Sequence, residues 1–230
     1  MVATAAREVN RLVLQSRGMS RAAIRHLSSV DPVMRALIRR VGACGLAVRD
    51  QQPFETLVRA IAHQQLHGRA AEAILGRFLA LFPGRRFPSP AAVAAMAAPR
   101  MRRAGFSRGK IRAIKHIARK ARDGRVPTRR ACHALSDEIL IERLTELHGV
   151  GQWTVEMLLM FTLGRPDVLP AGDFGVREGF KLAYRRRRQP TPRQLLRHGE
   201  RWRPYRSVAA WYLWRATEEA LQRKVAPKIT

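Results

Sequence analysis

Acidic residues are scarce in this chain. Seventeen Asp and Glu stand against 44 Lys and Arg, a formal net charge of +27. Such an excess points to a polyanion, with nucleic acid first and an anionic membrane surface second. The basic residues are interleaved with apolar ones along the whole chain, which excludes a disordered basic tail as their explanation. Cysteine is almost missing. Cys44 and Cys132 stand alone, so a four-cysteine zinc or iron–sulfur site is excluded and a disulfide scaffold is disfavoured. No apolar run approaches the roughly 20 residues that span a bilayer. Arg7, Glu8 and Arg11 interrupt the stretch where a secretory signal would need apolar residues. A soluble intracellular protein with no membrane partner is expected. Sustained period-2 alternation, a long Gly/Ser linker and a repeat of fixed period are also lacking, so neither a sheet nor a repeat array is expected.

What the chain has in quantity is helix signals. Its 230 residues can hold one large domain or two small ones. Asp31-Pro32, Ser89-Pro90 and Thr191-Pro192 each place a capping side chain before a proline suited to a first helical turn. Gln194 completes a capping box with Thr191. Leu140, Leu144 and Leu147 share one helical face, as do Leu57, Ile61 and Gln65 with Leu66 beside them. The pattern predicts helices near 20–29, 32–42, 53–66, 69–81, 90–97, 108–122, 136–147, 152–163, 174–184, 192–201 and 206–223, an all-α protein. Phe82-Pro83-Gly84 and Asp123-Gly124 read as interhelical turns. Arg185–Arg188 is a run of four arginines, open to two readings: a solvated helix end or a phosphate contact.

The most informative segment runs from Leu147 to Asp173, LHGVGQWTVEMLLMFTLGRPDVLPAGD. Gly149-Val150-Gly151 lies between two helical stretches. A glycine hairpin there can hold a phosphate on backbone N–H groups, because a helix N-terminus carries unpaired donors and partial positive charge. The same glycines also suit an ordinary turn with a helix C-cap. Asp173 follows the break Pro170-Ala171-Gly172. An acidic residue placed so in a very basic chain suggests chemistry, although it can also cap the helix that starts near Phe174.

Leu147-x-Gly149-Val150-Gly151-x-Trp153-Thr154 followed by Leu169-Pro170-Ala171-Gly172-Asp173 resembles the helix-hairpin-helix DNA glycosylase superfamily, and within it the 3-methyladenine DNA glycosylase II branch. Residues 54–71 (FETLVRAIAHQQLHGRAA) resemble that branch's helix and base-stack-probing turn. The stretch from Glu200-Arg201-Trp202-Arg203-Pro204-Tyr205-Arg206-Ser207 to Trp214 resembles its C-terminal segment. The resemblance covers roughly residues 53–215. It implies two helical lobes, 53–163 and 1–52 with 164–230, and an active site in the cleft between them. Longer relatives carry an extra N-terminal β-rich domain, and this chain resembles the compact form. By resemblance, Asp173 is the catalytic aspartate, and Gly149, Gly151 and Thr154 hold a phosphate beside the lesion. Trp153 and Trp214 line the base pocket, although core packing is the plainer use of an indole and is expected for Trp202 and Trp211. Gln64 and Gln65 match the turn that enters the gap left by a flipped base. A close relative has leucine where Gln65 aligns, which makes Leu66 the alternative wedge. The carbonyls of Thr145, Leu147 and Val150 match positions that bind a bridging Na+ or K+ in relatives. No other cofactor is implied.

The chemistry agrees with that assignment. Breaking an N-glycosidic bond generates an oxocarbenium-like sugar, which a nearby carboxylate stabilises. The target base must leave the duplex, so a clamp, a wedge and a pocket are needed. Alkylated purines are cationic or electron-poor and are drawn to indole faces, at about 0.5–2 kcal/mol each. Bifunctional relatives carry a lysine at the position of Trp153, whose amine forms a Schiff base with the sugar. An indole cannot, so the expected enzyme is monofunctional, excises 3-methyladenine- or 7-methylguanine-type bases and leaves an abasic site. Two alternatives remain: a DNA-binding protein that does not use the aspartate, and a glycosylase for deaminated bases. The expected partner is damaged double-stranded DNA, bound by a monomer, in the bacterial cytoplasm at the nucleoid or in a eukaryotic nucleus. His148 could meet a phosphate and His63 abuts the probing turn, whereas His67 reads as a surface or packing residue. With no H-E-x-x-H pattern, no histidine metal site is expected.

Overall fold

The computed structural model describes residues 21–66, 68–84 and 86–225. His67 and the N-terminal Arg7, Glu8 and Arg11 lie outside the described residues. Every regular element among those described is helical: α1 (21–30), α2 (Pro32–Val41), α3 (Pro53–His63), α4 (Gly68–Leu79), α5 (Pro90–Ala95), α6 (Ala98–Ala104), α7 (Arg108–Arg122), α8 (Arg129–His133), α9 (Asp137–Thr145), α10 (Gln152–Phe161), α11 (Phe174–Ala183), α12 (Pro192–Gly199) and α13 (Arg206–Val225), with a 3₁₀ turn over Glu200–Trp202. Caps set many of the starts. Asp31, Ser89, Ser107, Thr128, Ser136, Asp173 and Thr191 each accept a hydrogen bond from a backbone N–H of the first turn, which satisfies a donor the helix cannot.

Two short helices escape the sequence reading. α6 begins at Ala97-Ala98-Pro99 with no side-chain cap, so only a proline announces it. α8 has only five residues, too short for a hydrophobic period to register. In the other direction, α3 stops at His63 rather than continuing to 66. Gln65 adopts φ +57°, a left-handed conformation uncommon for a residue with a Cβ, and this ends the helical path.

The chain divides into two compact units, one formed by residues 50–163 and the other by the described residues of 1–49 together with 164–225. Residues 50–52 sit with the first unit because they are bonded into it. Gln52 Oε1 accepts from the Arg129 backbone N–H at 3.2 Å, and Asp50 pairs with Arg129 at 3.4 Å.

In the 50–163 unit, α3, α7 and α10 contribute the central apolar faces. Leu57, Val58 and Ile61 are fully buried, as are Ile114, Ile117, Val155, Leu158 and Leu159. Phe78 and Phe106 meet edge to face at 5.3 Å. Thr56 and Thr162 share a hydroxyl hydrogen bond of 2.9 Å that ties the start of α3 to the end of α10.

The second unit is built on the packing of α11 against α13. A Cβ on Gly179 would lie 1.9 Å from the carbonyl oxygen of Leu213, so only glycine allows the two backbones this approach. Asp31, 1% exposed, organises the rest of the unit. Its carboxylate caps α2 and takes hydrogen bonds from Trp202 Nε1 (3.0 Å), the Tyr184 hydroxyl (2.5 Å) and His198 Nε2 (3.3 Å). Burial alone would raise its pKa. The hydrogen bonds from His198, Tyr184, Trp202 and the Met34 N–H outweigh that and hold it well below the usual carboxylate range.

A carboxylate whose pKa is depressed on folding stabilises the fold above its unfolded value of 3.8, and that stabilisation is lost as pH falls through the folded value. Asp31→Ala leaves buried Trp202 and half-buried Tyr184 and His198 without an acceptor and is expected to cost about 3–5 kcal/mol. Urea unfolding followed from neutral pH down to about pH 3 checks both parts. The wild-type midpoint should fall steeply below about pH 4, and the variant should start lower and fall less.

Candidate functional site

The residues singled out in the sequence fall on both units. Those on 50–163 are the hairpin between α9 and α10, the turn 64–66 and Trp153. Those on the other unit are Asp173 and Trp214.

Ser136 caps α9, and the helix ends at Thr145 in a turn closed by the Leu147 N–H on Leu144 O (3.2 Å) and the Val150 N–H on Leu147 O (3.0 Å). Gly149 has φ +82°, and a Cβ there would stand 3.2 Å from both Ala113 Cβ and Ile61 Cδ1. It is glycine for two reasons at once: a left-handed backbone and a close approach to α7 and α3. Gly151 has an ordinary φ of −95° and open space where a Cβ would go. It is the N-cap of α10, and no side chain caps that first turn. The helix end is thus open to an anion from outside, where its donors and dipole favour negative charge. Thr154 is only 5% exposed, and its backbone N–H is already bonded to Gly151 O at 2.9 Å.

The turn 64–66 touches this hairpin directly. Gln64 Nε2 donates to Gly149 O at 2.9 Å. Its side chain is therefore spent on joining two segments, while Gln65 and Leu66 are exposed, Leu66 at 40%. Lys110 Nζ donates to Ala62 O at 2.8 Å near the C-terminus of α3, and burial lowers the Lys110 pKa. His63 Nε2 lies 3.0 Å from Glu72 Oε1. Trp153, the second residue of α10, is 50% exposed, unusual for an indole.

A residue the sequence did not flag braces the hairpin from α7. His116 Nδ1 accepts the backbone N–H of His148 at 3.1 Å. That bond requires an unprotonated Nδ1, hence a neutral ring carrying its proton on Nε2. Burial, then Lys120, Arg119 and His148, lower the His116 pKa from 6.5. Of the oxygens considered for a cation, Leu147 O already accepts Val150 N–H. The carbonyls of Thr145 and Val150 take no backbone hydrogen bond from the turn among the described residues. Hard oxygen donors of this kind suit an alkali cation. Among the described residues, no three His, Cys, Asp or Glu side chains are grouped to hold a metal ion.

On the other unit, Asp173 is reached through the turn Pro170–Gly172, closed by the Asp173 N–H on Pro170 O (3.0 Å). It is the N-cap of α11, and Oδ1 accepts Val176 N–H at 2.8 Å. The same oxygen accepts Trp214 Nε1–H at 2.8 Å. Two donors from two helices fix the rotation of this carboxylate. Gly175 makes the second one possible, since a Cβ there would lie 2.9 Å from Trp214 Cδ1 and 3.2 Å from Asp173 Oδ1. Thr217 Oγ1 donates to Gly175 O at 2.7 Å and closes the seam. Phe174, beside Asp173, is 69% exposed.

The segment leading to Asp173 is held by the C-terminal run. Arg206 grips Asp167 with Nε on Oδ1 (2.8 Å) and Nη2 on Oδ2 (3.0 Å), a fork-to-fork pair. Buried Ser207 accepts Val168 N–H (2.9 Å) and donates to Arg165 O (2.7 Å). Trp202 is fully buried against Asp31, and Trp211 packs on Gly45, whose Cβ would be 3.1 Å from its ring. The spacing of Gly175 and Gly179, four apart on α11, is the signal by which the sequence could announce this close helix contact. Nothing in the sequence pointed to His116.

Known proteins match this arrangement along most of the chain. The model of a family described as HhH-GPD superfamily base excision DNA repair protein matches residues 58–204. DNA-3-methyladenine glycosylase 1 of Schizosaccharomyces pombe is 42% identical over 206 residues, 88% of this chain and 90% of that protein. Its solved structure in complex with abasic DNA superposes with a TM-score of 0.77, covering 86% of this chain and 97% of that one. A DNA-3-methyladenine glycosidase structure from Bacillus halodurans, 34% identical, gives a TM-score of 0.80 over 87% of this chain and 91% of its own.

One consequence for the hairpin can be measured without any substrate. A histidine whose pKa is depressed on folding supports the fold above its unfolded value of 6.5, and that support is lost as pH falls through the lower folded value. The His148 amide is expected to exchange with solvent faster, relative to its neighbours, as pH drops below about 6.5. In His116→Phe that amide should be fast throughout and show no such step. A protection factor in the variant equal to wild type would show that the ring does not hold the hairpin.

Proposed function

The chain belongs to the HhH-GPD superfamily of base excision DNA repair proteins, and from that premise we propose that it is a monofunctional DNA glycosylase that removes alkylated purines, of the 3-methyladenine and 7-methylguanine type, with Asp173 as its catalytic carboxylate. The observation that carries the reading is the pair of donors, Val176 N–H and Trp214 Nε1–H, on one oxygen of Asp173. A carboxylate that must face a developing sugar cation gains from being held in orientation before the reaction, because no reorganisation is then needed at the transition state. The Schizosaccharomyces pombe relative, whose name specifies 3-methyladenine, matches over 88% of this chain and 90% of its own length, which supports carrying that substrate over.

The proposed step is dissociative in character. The C1′–N bond to the alkylated base breaks, and the base leaves with the bonding electrons. Ring alkylation makes the purine a good leaving group, so little general acid is needed. The positive charge that develops on the sugar is stabilised by the Asp173 carboxylate. Water adds to C1′ and loses a proton, giving an abasic site and the free base. Trp153 carries no amine, so no Schiff base forms and the strand stays intact. Gly149 and Gly151 supply the backbone grip on a phosphate, with Thr154 behind them in the first turn of α10. Leu66 and Gln65 are exposed enough to enter the stack, while Gln64 positions their turn through Gly149. Trp153 offers an exposed indole face for an electron-poor purine. Trp214 acts chiefly by positioning Asp173. The carbonyls of Thr145, Leu147 and Val150 would hold a sodium or potassium ion that helps bridge the hairpin to a phosphate. The partner is damaged duplex DNA, bound by a monomer, wherever the cell keeps its DNA.

Release of free base from methylated duplex DNA under single-turnover conditions tests this. Asp173→Asn should bind the duplex like wild type and release base at least about a hundred-fold more slowly. Full activity in that variant would remove Asp173 from the chemistry. Trp214→Phe keeps an aromatic ring but loses the donor, and should slow release about ten-fold, the cost of one hydrogen bond to a charged group. Its product should remain an uncleaved abasic strand.

A further inference from the structure

The four-arginine run is not a loose solvated end. Arg185 takes a left-handed φ of +51° just after α11, and the Arg186 N–H bonds back to Lys181 O at 2.9 Å. Gln189 Nε2 donates to Glu178 Oε2 at 2.7 Å, and Arg177 Nε donates to Pro190 O at 2.8 Å. The loop is thus pinned to α11 within the run and just after it. It forms one wall of a cavity of about 860 Å³, and α12 with the turn after it forms the other. Arg186, Arg187, Arg188, Arg197 and Arg201 line this cavity together with His198, and no lining residue is acidic. None of the five arginines forms an ion pair among the described residues, whereas Arg203 and Arg206, a few residues on, are both paired with Asp167. Gathering five guanidinium groups without counter-charges is unfavourable in the free protein, and a ligand of several negative groups relieves it.

We propose that this cavity is a second nucleic-acid contact, which takes the phosphate backbone of duplex DNA independently of the reacting site. Guanidinium forks match phosphate oxygens in geometry as well as charge. The only aromatic groups in the lining are Phe180, which is buried, and His198, which is engaged with Asp31. There is no exposed ring on which an unpaired base could stack, so the site suits a partner that presents phosphates and hides its bases. The cavity lies beyond the C-terminal end of α11, while Asp173 caps its N-terminal end. Ten residues of helix separate them by about 15 Å, so the arginines contact DNA away from the scissile glycosidic bond.

The test is fluorescence-anisotropy titration of the full chain with an undamaged duplex over a range of salt concentrations. Binding to undamaged DNA is the readout, so the result is separable from that of the Asp173→Asn experiment. In R186Q/R187Q/R188Q the slope of log K against log salt should shrink by about two to three, since each lost phosphate contact removes about 0.9. Affinity at low salt should fall at least about ten-fold. R197Q/R201Q, which changes the opposite wall, should shrink the slope by about one to two. A control with the same charge change on exposed arginines elsewhere, R39Q/R100Q/R103Q, should alter the slope by less than one unit. Single-turnover base release at saturating enzyme should stay within about two-fold of wild type in both cavity variants. An unchanged slope in both variants overturns the proposal, as does a control that loses as much. Inorganic triphosphate that binds the wild type but not the variants, with DNA affinity unaltered, would assign the cavity to a small polyanion instead. A fall in base release as large as the fall in affinity would place the arginines in the reacting site.

Discussion

The hydrogen bond from Trp214 to Asp173 depends on how closely α11 and α13 lie together. At Gly179 the two helices meet backbone to backbone, with no room for even a methyl group before the Leu213 carbonyl. One turn earlier on α11, Gly175 leaves just enough space for the indole edge to reach the Asp173 carboxylate. Two glycines four residues apart therefore set the distance between a helix N-cap and an indole donor on another helix. The Asp167–Arg206 fork and the buried Ser207 then fix the loop that enters α11. Packing, capping and the proposed chemistry share the same few atoms here. A carboxylate can serve as a cap and as an electrostatic catalyst together, because both uses need a side-chain oxygen held in a fixed orientation.

Asp31 shows the opposite use of the same chemical group. It is deeper, takes more donors and is withdrawn from solvent. Its bonds to Tyr184, His198 and Trp202 gather residues far apart in sequence around one charge. A buried charge so well supplied with donors contributes order to the unit, and losing any donor would leave part of it unpaired. His198 is the link between this interior network and the arginine-lined cavity, since it belongs to both.

Much of the fold was legible in the sequence. Asp31, Ser89 and Thr191 announced helix starts by a capping side chain before proline, and each does cap. The helical periods located most of the long elements and excluded sheet. α6 and α8 were missed for the physical reasons that one has no capping side chain and the other too few residues to show a period. The stop at His63 was missed because a left-handed glutamine leaves no compositional trace. At the candidate site, the hairpin glycines, Asp173 and Trp214 stood out as a motif. What the motif could not reveal was division of labour. Trp214, expected at a pocket wall, also donates to Asp173. Gln64 was grouped with the wedge and is found bonded to the hairpin. His116 acts on the hairpin through a backbone N–H, a partner no sequence pattern identifies.

Gln64 also gives the 50–163 unit a property that neither the hairpin nor the turn has alone. Gly149 is wedged against α3 and α7, and its carbonyl is tied to the side chain that begins the turn 64–66. The glycine loop and exposed Leu66 therefore behave as two points of a fixed caliper. If the loop holds a phosphate and the turn enters the stack, as proposed, the two would span a fixed length along the duplex. DNA whose backbone and stack keep the matching span seats both points at once, and DNA with another span can engage them only in turn. Under the proposed roles, discrimination of this kind would rest on the geometry of the backbone and stack rather than on the identity of a base.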